Sequence, residues 1–79
     1  MRFIWLPKNT AHVRRHVPTT LAERVMLAED LDARLVDEMT YEGTGTVDGE
    51  LYRIWFMTAP GEVYIITCYR ARRGGSAKP

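Results

Sequence analysis

The chain has 79 residues, of which 46% are hydrophobic and 27% charged, and its formal net charge is +1. These values exclude disordered and collagen-like chains, and the length predicts one small domain, residues 1–73, followed by a flexible C-terminal tail, residues 74–79. No apolar run approaches the ~20 residues that span a bilayer, the N-terminus is too polar for a signal peptide, and the lone Cys68 cannot form an internal disulfide. We therefore expect a cytoplasmic protein with no membrane partner.

The two ends of the chain are basic and its middle is acidic. Residues 1–17 carry four basic residues and no acid, residues 18–50 carry nine acids and two arginines, and residues 51–79 carry five basic residues and one acid. If the two ends meet in the fold, their cations form one surface suited to phosphate. The alternative is that these charges are scattered over a solvated surface, and composition does not choose between the two.

The first part of the chain predicts a short strand and a helix. The run RFIWL, residues 2–6, is rich in β-forming residues and predicts an edge strand. A helix is expected from Asn9 or Thr10, either of which is a good N-cap, to about residue 16. Pro18 ends it, because the residue before a proline avoids helical angles.

A second helix and a further strand follow. Thr20 and Glu23 have the spacing of a capping box, and apolar residues at helical spacing extend the predicted helix over residues 21–31. The segment from 34 to 41 is compatible with a helix or a strand, and its β-branched and aromatic residues favour a strand. Turn residues then punctuate the chain at Gly43, Gly45 and Asp48-Gly49.

The last part of the chain predicts a β-hairpin. Two β-rich runs, residues 51–58 and 63–70, are joined by a turn in which Pro60 and Gly61 suit the central positions of type II. A regular register then gives three expected cross-strand pairs: Phe56 with Ile65, Ile54 with Thr67, and Arg53 with Cys68. It also groups Arg70 on one face with Arg53 and Trp55. The predicted fold class is α+β: a short N-terminal strand, two helices packed on one side, then an antiparallel β-meander of about three strands.

The stretch HVRRH, residues 12–16, is the first candidate for chemistry. At helical spacing, Lys8, His12, Arg15 and His16 fall on one stripe. Histidines four residues apart can share a zinc ion, but the arginines between them and the lack of a third histidine or cysteine ligand nearby disfavour a metal site. Phosphate chemistry and a plain solvated helix face both remain open.

Cleavage of RNA without a metal requires three kinds of group. One deprotonates the 2′-hydroxyl, cations hold the charge that develops on phosphorus, and an acid protonates the leaving oxygen. Histidine suits the proton transfers near neutral pH, and arginine offers a permanently charged fork for phosphate. The chain contains these residue types in Arg15, His16, Arg53 and Arg70. Its tryptophans and tyrosines are more often core residues than base-stacking platforms in so small a domain.

The stretch FIWLPKNTAHVRRHVPTTLAERV resembles the opening of the BrnT-like toxins, a branch of the RelE superfamily. Their pattern is an aromatic strand ending in Trp, a helix with a basic residue and His, and a second helix started by Ser or Thr. The later TVDGELYRIWFMTAPGEVYIITCYRARR resembles the turn, hairpin and closing strand of that family. The chain departs from the family pattern at four positions: Leu6, Val17, Glu50 and Tyr69.

The resemblance implies a RelE-like fold and a toxin-like endoribonuclease of a type II toxin–antitoxin system. It implies RNA as substrate, no cofactor and an antitoxin partner, often one with a ribbon-helix-helix domain. On this interpretation the catalytic candidates are His16 as acid or base, Arg15, Arg53 and Arg70 as phosphate-stabilising groups, and Tyr69 for proton transfer or stacking. The RNA-binding candidates are Lys8, His12, Trp55 and Arg72. The alternatives are a non-catalytic RNA- or protein-binding module and a homodimer that pairs through the exposed hairpin.

Overall fold

Two tight turns organise the second half of the chain. Asp48 and Gly49 both have positive φ, 51° and 82°, as a type I′ turn requires, and Gly61 has a φ of 73° after Pro60. The predicted hairpin turns at both places are therefore confirmed. The computed structural model describes residues 1–71, so the predicted tail and Arg72 lie outside the described residues.

The described chain is an α+β fold with two helices and a five-stranded mixed sheet. The elements in chain order are β1 (Arg2–Ile4), α1 (Pro7–Arg14), α2 (Thr19–Met26), β2 (Asp32–Asp37), β3 (Thr40–Val47), β4 (Glu50–Ala59) and β5 (Glu62–Arg70). The strands lie in the order β1-β5-β4-β3-β2, with β1 parallel to β5 and all other pairs antiparallel. The basic ends of the chain thus do meet.

Both helices cover the same face of the sheet and enclose one core. α1 packs on β5, and α2 packs on β3 and β4. The fully buried side chains include Val13 and Val25 from the helices and Ile54, Ile65 and Cys68 from the sheet. Both helices thus bury side chains in the core on one face of the sheet, and we call the opposite face the open face.

Asn9 anchors α1 to the sheet from inside the helix. The helix begins at Pro7, two residues earlier than predicted, so Asn9 occupies its third position and is not an N-cap. Its side-chain oxygen accepts a hydrogen bond from the Leu6 N–H at 2.7 Å, and its amide nitrogen donates to the carbonyls of Ile4 at 3.0 Å and Ile65 at 2.9 Å. Proline suits the first helical position because its missing N–H is not needed there.

The second helix is shorter than predicted and has no capping box. It ends at Met26, not at residue 31, and its N-cap is Pro18, which has no side-chain acceptor. The carboxylate of Glu23 instead accepts a 2.6 Å hydrogen bond from the Trp5 indole N–H, tying α2 to the segment before α1. The helix approaches β3 closely at Gly45, where a Cβ would lie 3.1 Å from the Val25 carbonyl oxygen.

The predicted strand over residues 34–41 is two strands. The chain reverses at Glu38 and Met39, between β2 and β3, and the Asp37 carboxylate accepts the Glu38 N–H at 2.9 Å. The meander therefore has four antiparallel strands, not about three, with Gly43 and Gly45 inside β3 and not in turns. Every residue of β2 is exposed, so no alternation of apolar residues marked its boundaries.

A β-bulge in β5 changes the predicted register. Phe56 pairs with Ile65 as predicted, but Trp55 pairs with Thr67, so Ile66 is the extra residue. Two predicted pairs are consequently wrong, because Ile54 lies opposite Cys68 and Arg53 lies opposite Tyr69. The predicted face that groups Arg70 with Arg53 and Trp55 is also wrong, since Arg70 pairs with Tyr52.

Cys68 should be chemically inert in the folded protein. Its side chain is fully buried, and burial raises the pKa of the thiol to about 12. Because the thiolate is the reactive form, a thiol-specific reagent at pH 8 should label the native protein negligibly and label it fully in guanidinium chloride. Rapid labelling of the native protein would show that this part of β5 opens.

Candidate functional site

The open face carries half-buried side chains in rows that cross the strands. Because side chains alternate along β4, Arg53, Trp55 and Met57 share this face, and the buried Ile54 and Phe56 point into the core. The registers add the cross-strand partners of each row. The rows are Thr44, Arg53 and Tyr69; then Glu42, Trp55 and Thr67; then Thr40, Met57 and Tyr64.

One edge of this face is completed by α1. The ring centroids of His12 and His16 are 6.4 Å apart, as expected for residues one helical turn apart, and the ring of His16 lies 6.0 Å from that of Tyr69. We call His12, His16 and Tyr69 the His–Tyr cluster. Tyr69 faces Arg53 across the strands, so the cluster continues directly into the arginine row.

The bulge at Ile66 is the local reason for this arrangement. A regular hairpin would turn Arg70 toward Arg53 and send Tyr69 to the covered face. The extra residue reverses the faces of all residues that follow it in β5. Tyr69 is therefore the residue that meets His16.

Arg53 is not a free cation. Its guanidinium forms an ion pair with the carboxylate of Glu42, whose side chain is only 12% exposed, and Arg34 lies 3.5 Å from the same carboxylate. Glu42 was not singled out from the sequence. No local pattern marks it, because its contact with Arg53 depends on the register between β3 and β4.

The remaining candidate cations differ in their surroundings. Arg70 lies away from the open face, exposed, with its guanidinium 3.0 Å from the carboxylate of Glu50. Arg15 is exposed at the end of α1, one turn beyond His12. Lys8 lies inside α1, because the helix begins at Pro7, and it is exposed. Among residues 1–71, neither Lys8 nor Arg15 takes part in a salt bridge.

Two shallow grooves run along the open face beside α1. One, of about 340 Å³, is lined by side chains that include Lys8, His12 and Ile66, and the other, of about 460 Å³, includes Ile4 and Met39. Met57 and Tyr64 line both, so the two grooves are neighbours. We call the groove of about 340 Å³, which lies beside α1, the trough. The trough begins at the His–Tyr cluster, because His12 belongs to both.

Within the part of the chain that is described, no three histidine, cysteine or acidic side chains come together as a metal-binding group. Nor does any helix between residues 1 and 71 have the length and apolarity needed to cross a membrane. Compared with known proteins, the chain matches no family model, no curated protein and no solved structure.

Proposed function

We propose that the protein binds single-stranded RNA across the open face and cleaves it without a metal ion. The observation that carries the proposal is the proximity of His16 to Tyr69 and of Tyr69 to Arg53. These three side chains supply a proton-transfer group, a phenol and a permanent cation, which are the group types that phosphodiester cleavage needs. The resemblance to BrnT-like toxins, and with it a RelE-like fold, supports the same proposal.

The reaction follows from the chemistry of RNA. The 2′-oxygen attacks the adjacent phosphorus, the bond to the 5′-oxygen breaks, and a 2′,3′-cyclic phosphate is formed. His16, exposed at the rim, takes the proton of the 2′-hydroxyl, and the neighbouring phenol of Tyr69 gives a proton to the leaving 5′-oxygen; if His16 instead protonates the leaving oxygen, water takes the proton of the 2′-hydroxyl. Arg53 holds the additional negative charge on the phosphorane, and Arg15 contributes to phosphate binding from the end of α1. Trp55 and Tyr69 offer rings to the bases.

Glu42 restricts the access of phosphate to Arg53. A carboxylate already pairs with this guanidinium, so an RNA phosphate must compete with Glu42 or share Arg53 with it. This ion pair favours the second candidate function, in which the open face binds RNA or a protein without cleaving. Cleavage of an unmodified oligonucleotide by the purified protein separates the two candidates.

The resemblance further supports a role as a growth-arresting toxin that an antitoxin neutralises. In the hairpin, β4 is paired on both sides, and β5 pairs with β1 and packs against α1, so a homodimer through the hairpin is not the geometry we favour. The edge strands are β1 and the longer β2. Leu35 and Val36 of β2, and Met39 just after it, are exposed. An antitoxin or a second copy would therefore find free backbone groups at β2.

The matched arginines Arg53 and Arg70 give the test of the RNA surface. Both lie on neighbouring strands and both pair with a glutamate, but only Arg53 lies on the open face. The probe is a 2′-O-methylated RNA, which cannot be cleaved, and Arg53→Gln should weaken its binding about tenfold. A charge-assisted contact to phosphate contributes about 1.5–3 kcal/mol. Part of this is offset, because Arg53 loses its pairing with Glu42 when it binds phosphate. The slope of the logarithm of the binding constant against the logarithm of the salt concentration should become shallower by about 0.7. Arg70→Gln should change neither.

Glu42→Gln is the complementary variant. It removes the carboxylate that pairs with Arg53 while keeping the size of the side chain, so we expect tighter RNA binding than in the unmodified protein. Circular dichroism melting shows whether each variant is folded. Equal losses for Arg53→Gln and Arg70→Gln, or no binding by the unmodified protein, would contradict the proposal.

A further inference from the structure

The trough beside α1 has a chemistry that differs from the rest of the open face. Its walls are the thioether of Met57, the phenol ring of Tyr64 and the aliphatic Ile66, and Lys8 and His12 stand at its rim. At about 340 Å³, the trough is within the range of roughly 300–1,000 Å³ that small-molecule sites occupy. None of Met57, Tyr64 and Ile66 is among the residues needed for cleavage.

We propose that this trough holds an unpaired nucleobase of the bound RNA, next to the nucleotide at the His–Tyr cluster. The inference rests on the proposed RNA-binding function and names the part of the substrate that the trough takes. An aromatic ring and a polarizable thioether together suit the flat face of a base. A cation at the rim suits the phosphate that every nucleotide brings with it.

The position of the trough supports this occupant over a protein segment. His12 lines the trough and lies one helical turn from His16, with their ring centroids 6.4 Å apart. A strand whose phosphate reaches His16 therefore passes Lys8 and His12 with its neighbouring nucleotide. An apolar peptide would use the walls but would leave the Lys8 ammonium without an anionic partner among the described residues.

The bulge contributes a wall to the trough. Ile66 is the residue that has no cross-strand partner in β4, and it is half-buried among the trough residues. The same extra residue that directs Tyr69 to the open face thus also shapes the neighbouring groove. One irregularity in β5 serves both the phosphate site and the base site.

Two oligomers of equal charge test the proposal. The first is a 2′-O-methyl oligoadenylate of about eight nucleotides, and the second has the same number of phosphates but abasic spacers in place of its nucleotides. Stacking contributes about 1–3 kcal/mol per base, so each stacked base should raise the preference of the unmodified protein for the first oligomer by roughly 5- to 150-fold. Fluorescence anisotropy gives both affinities.

Tyr64→Leu should lower this preference by roughly 5-fold or more, because it removes the stacking ring of the trough and keeps an apolar side chain. It should bind the abasic oligomer as before. Tyr64→Phe, which keeps the ring, should retain the preference. Lys8→Gln changes an exposed side chain. It should weaken the binding of both oligomers alike and make the salt dependence of binding shallower by about 0.7 in the same logarithmic slope.

The outcomes separate this inference from the proposed function. If the unmodified protein binds neither oligomer, the RNA-binding function itself fails. If it binds both equally, or if Tyr64→Leu keeps the full preference while folded, RNA binding stands and the base site is overturned. Equal binding is also the result expected if a protein segment occupies the trough.

Discussion

Replacing Asn9 with alanine should lower the free energy of unfolding by about 3 kcal/mol, since each hydrogen bond contributes about 1 kcal/mol net. Asn9 is 2% exposed and makes three such bonds, to Leu6, Ile4 and Ile65. In the alanine variant these three backbone groups lose their hydrogen-bond partner, the buried side chain of Asn9. For a domain of this size the expected loss corresponds to a melting temperature lower by roughly 12–24 °C.

Two further variants make the Asn9 experiment specific. Asn9→Asp keeps the size and the acceptor for the Leu6 N–H but cannot donate to the two carbonyls, so it should destabilise at least as much as alanine. Lys8→Ala changes the exposed neighbour in the same helix and should stay within about 0.5 kcal/mol of the unmodified protein. Chemical unfolding followed by circular dichroism measures all three. An Asn9→Ala variant as stable as Lys8→Ala would show that α1 is held by its apolar contacts alone.

The role of Asn9 illustrates what local sequence patterns miss. An asparagine before an apolar stretch is typical of an N-cap, and that interpretation requires only neighbouring residues. Its actual partners include Ile65, which is 56 positions away in the chain. Pro7 at the first helical position was the local signal for the true helix start.

The turns were predictable because their chemistry is local. Gly61 and the Asp48-Gly49 pair adopt positive φ, which those residues favour, and the strands on either side follow from them. The reversal at Glu38 and Met39 contains neither glycine nor proline, so the segment was interpreted as one strand. The glycines of β3 were mistaken for turns, although Gly45 is there because α2 approaches the strand.

The composition of the candidate site was predictable, but its geometry was not. His16 and Arg53 were found from residue type, and the structure places both around Tyr69. The bulge that brings Tyr69 there has no marker in the run VYIITCYR, where every residue suits a regular strand. Its position depends on which side chains α1 and the core bury, which is a property of the packed fold. The acidic partner of Arg53 was missed for the same reason.

His16→Ala should lower RNA cleavage by at least about 100-fold, because proton transfer by a positioned side chain contributes typically 10²- to 10⁴-fold. Its affinity for 2′-O-methylated RNA should change little, since His16 acts on the reacting atoms more than on binding. Induced expression of the unmodified protein should also arrest growth, and the variant should not. Cleavage is measured on an unmodified oligonucleotide under single-turnover conditions, with the 2′,3′-cyclic phosphate as the expected product.

The other residues of HVRRH serve as matched controls for His16. His12→Ala changes an exposed histidine one turn earlier on α1, and we expect it to affect binding at the trough more than the rate of cleavage. Arg14→Gln alters an exposed side chain that neither lines the trough nor belongs to the cluster, so its cleavage rate should match the unmodified protein. A contaminating ribonuclease would act equally in every preparation, so the variants are compared by the rate above that shared background. Cleavage by His16→Ala at the original rate would refute a catalytic role for this histidine.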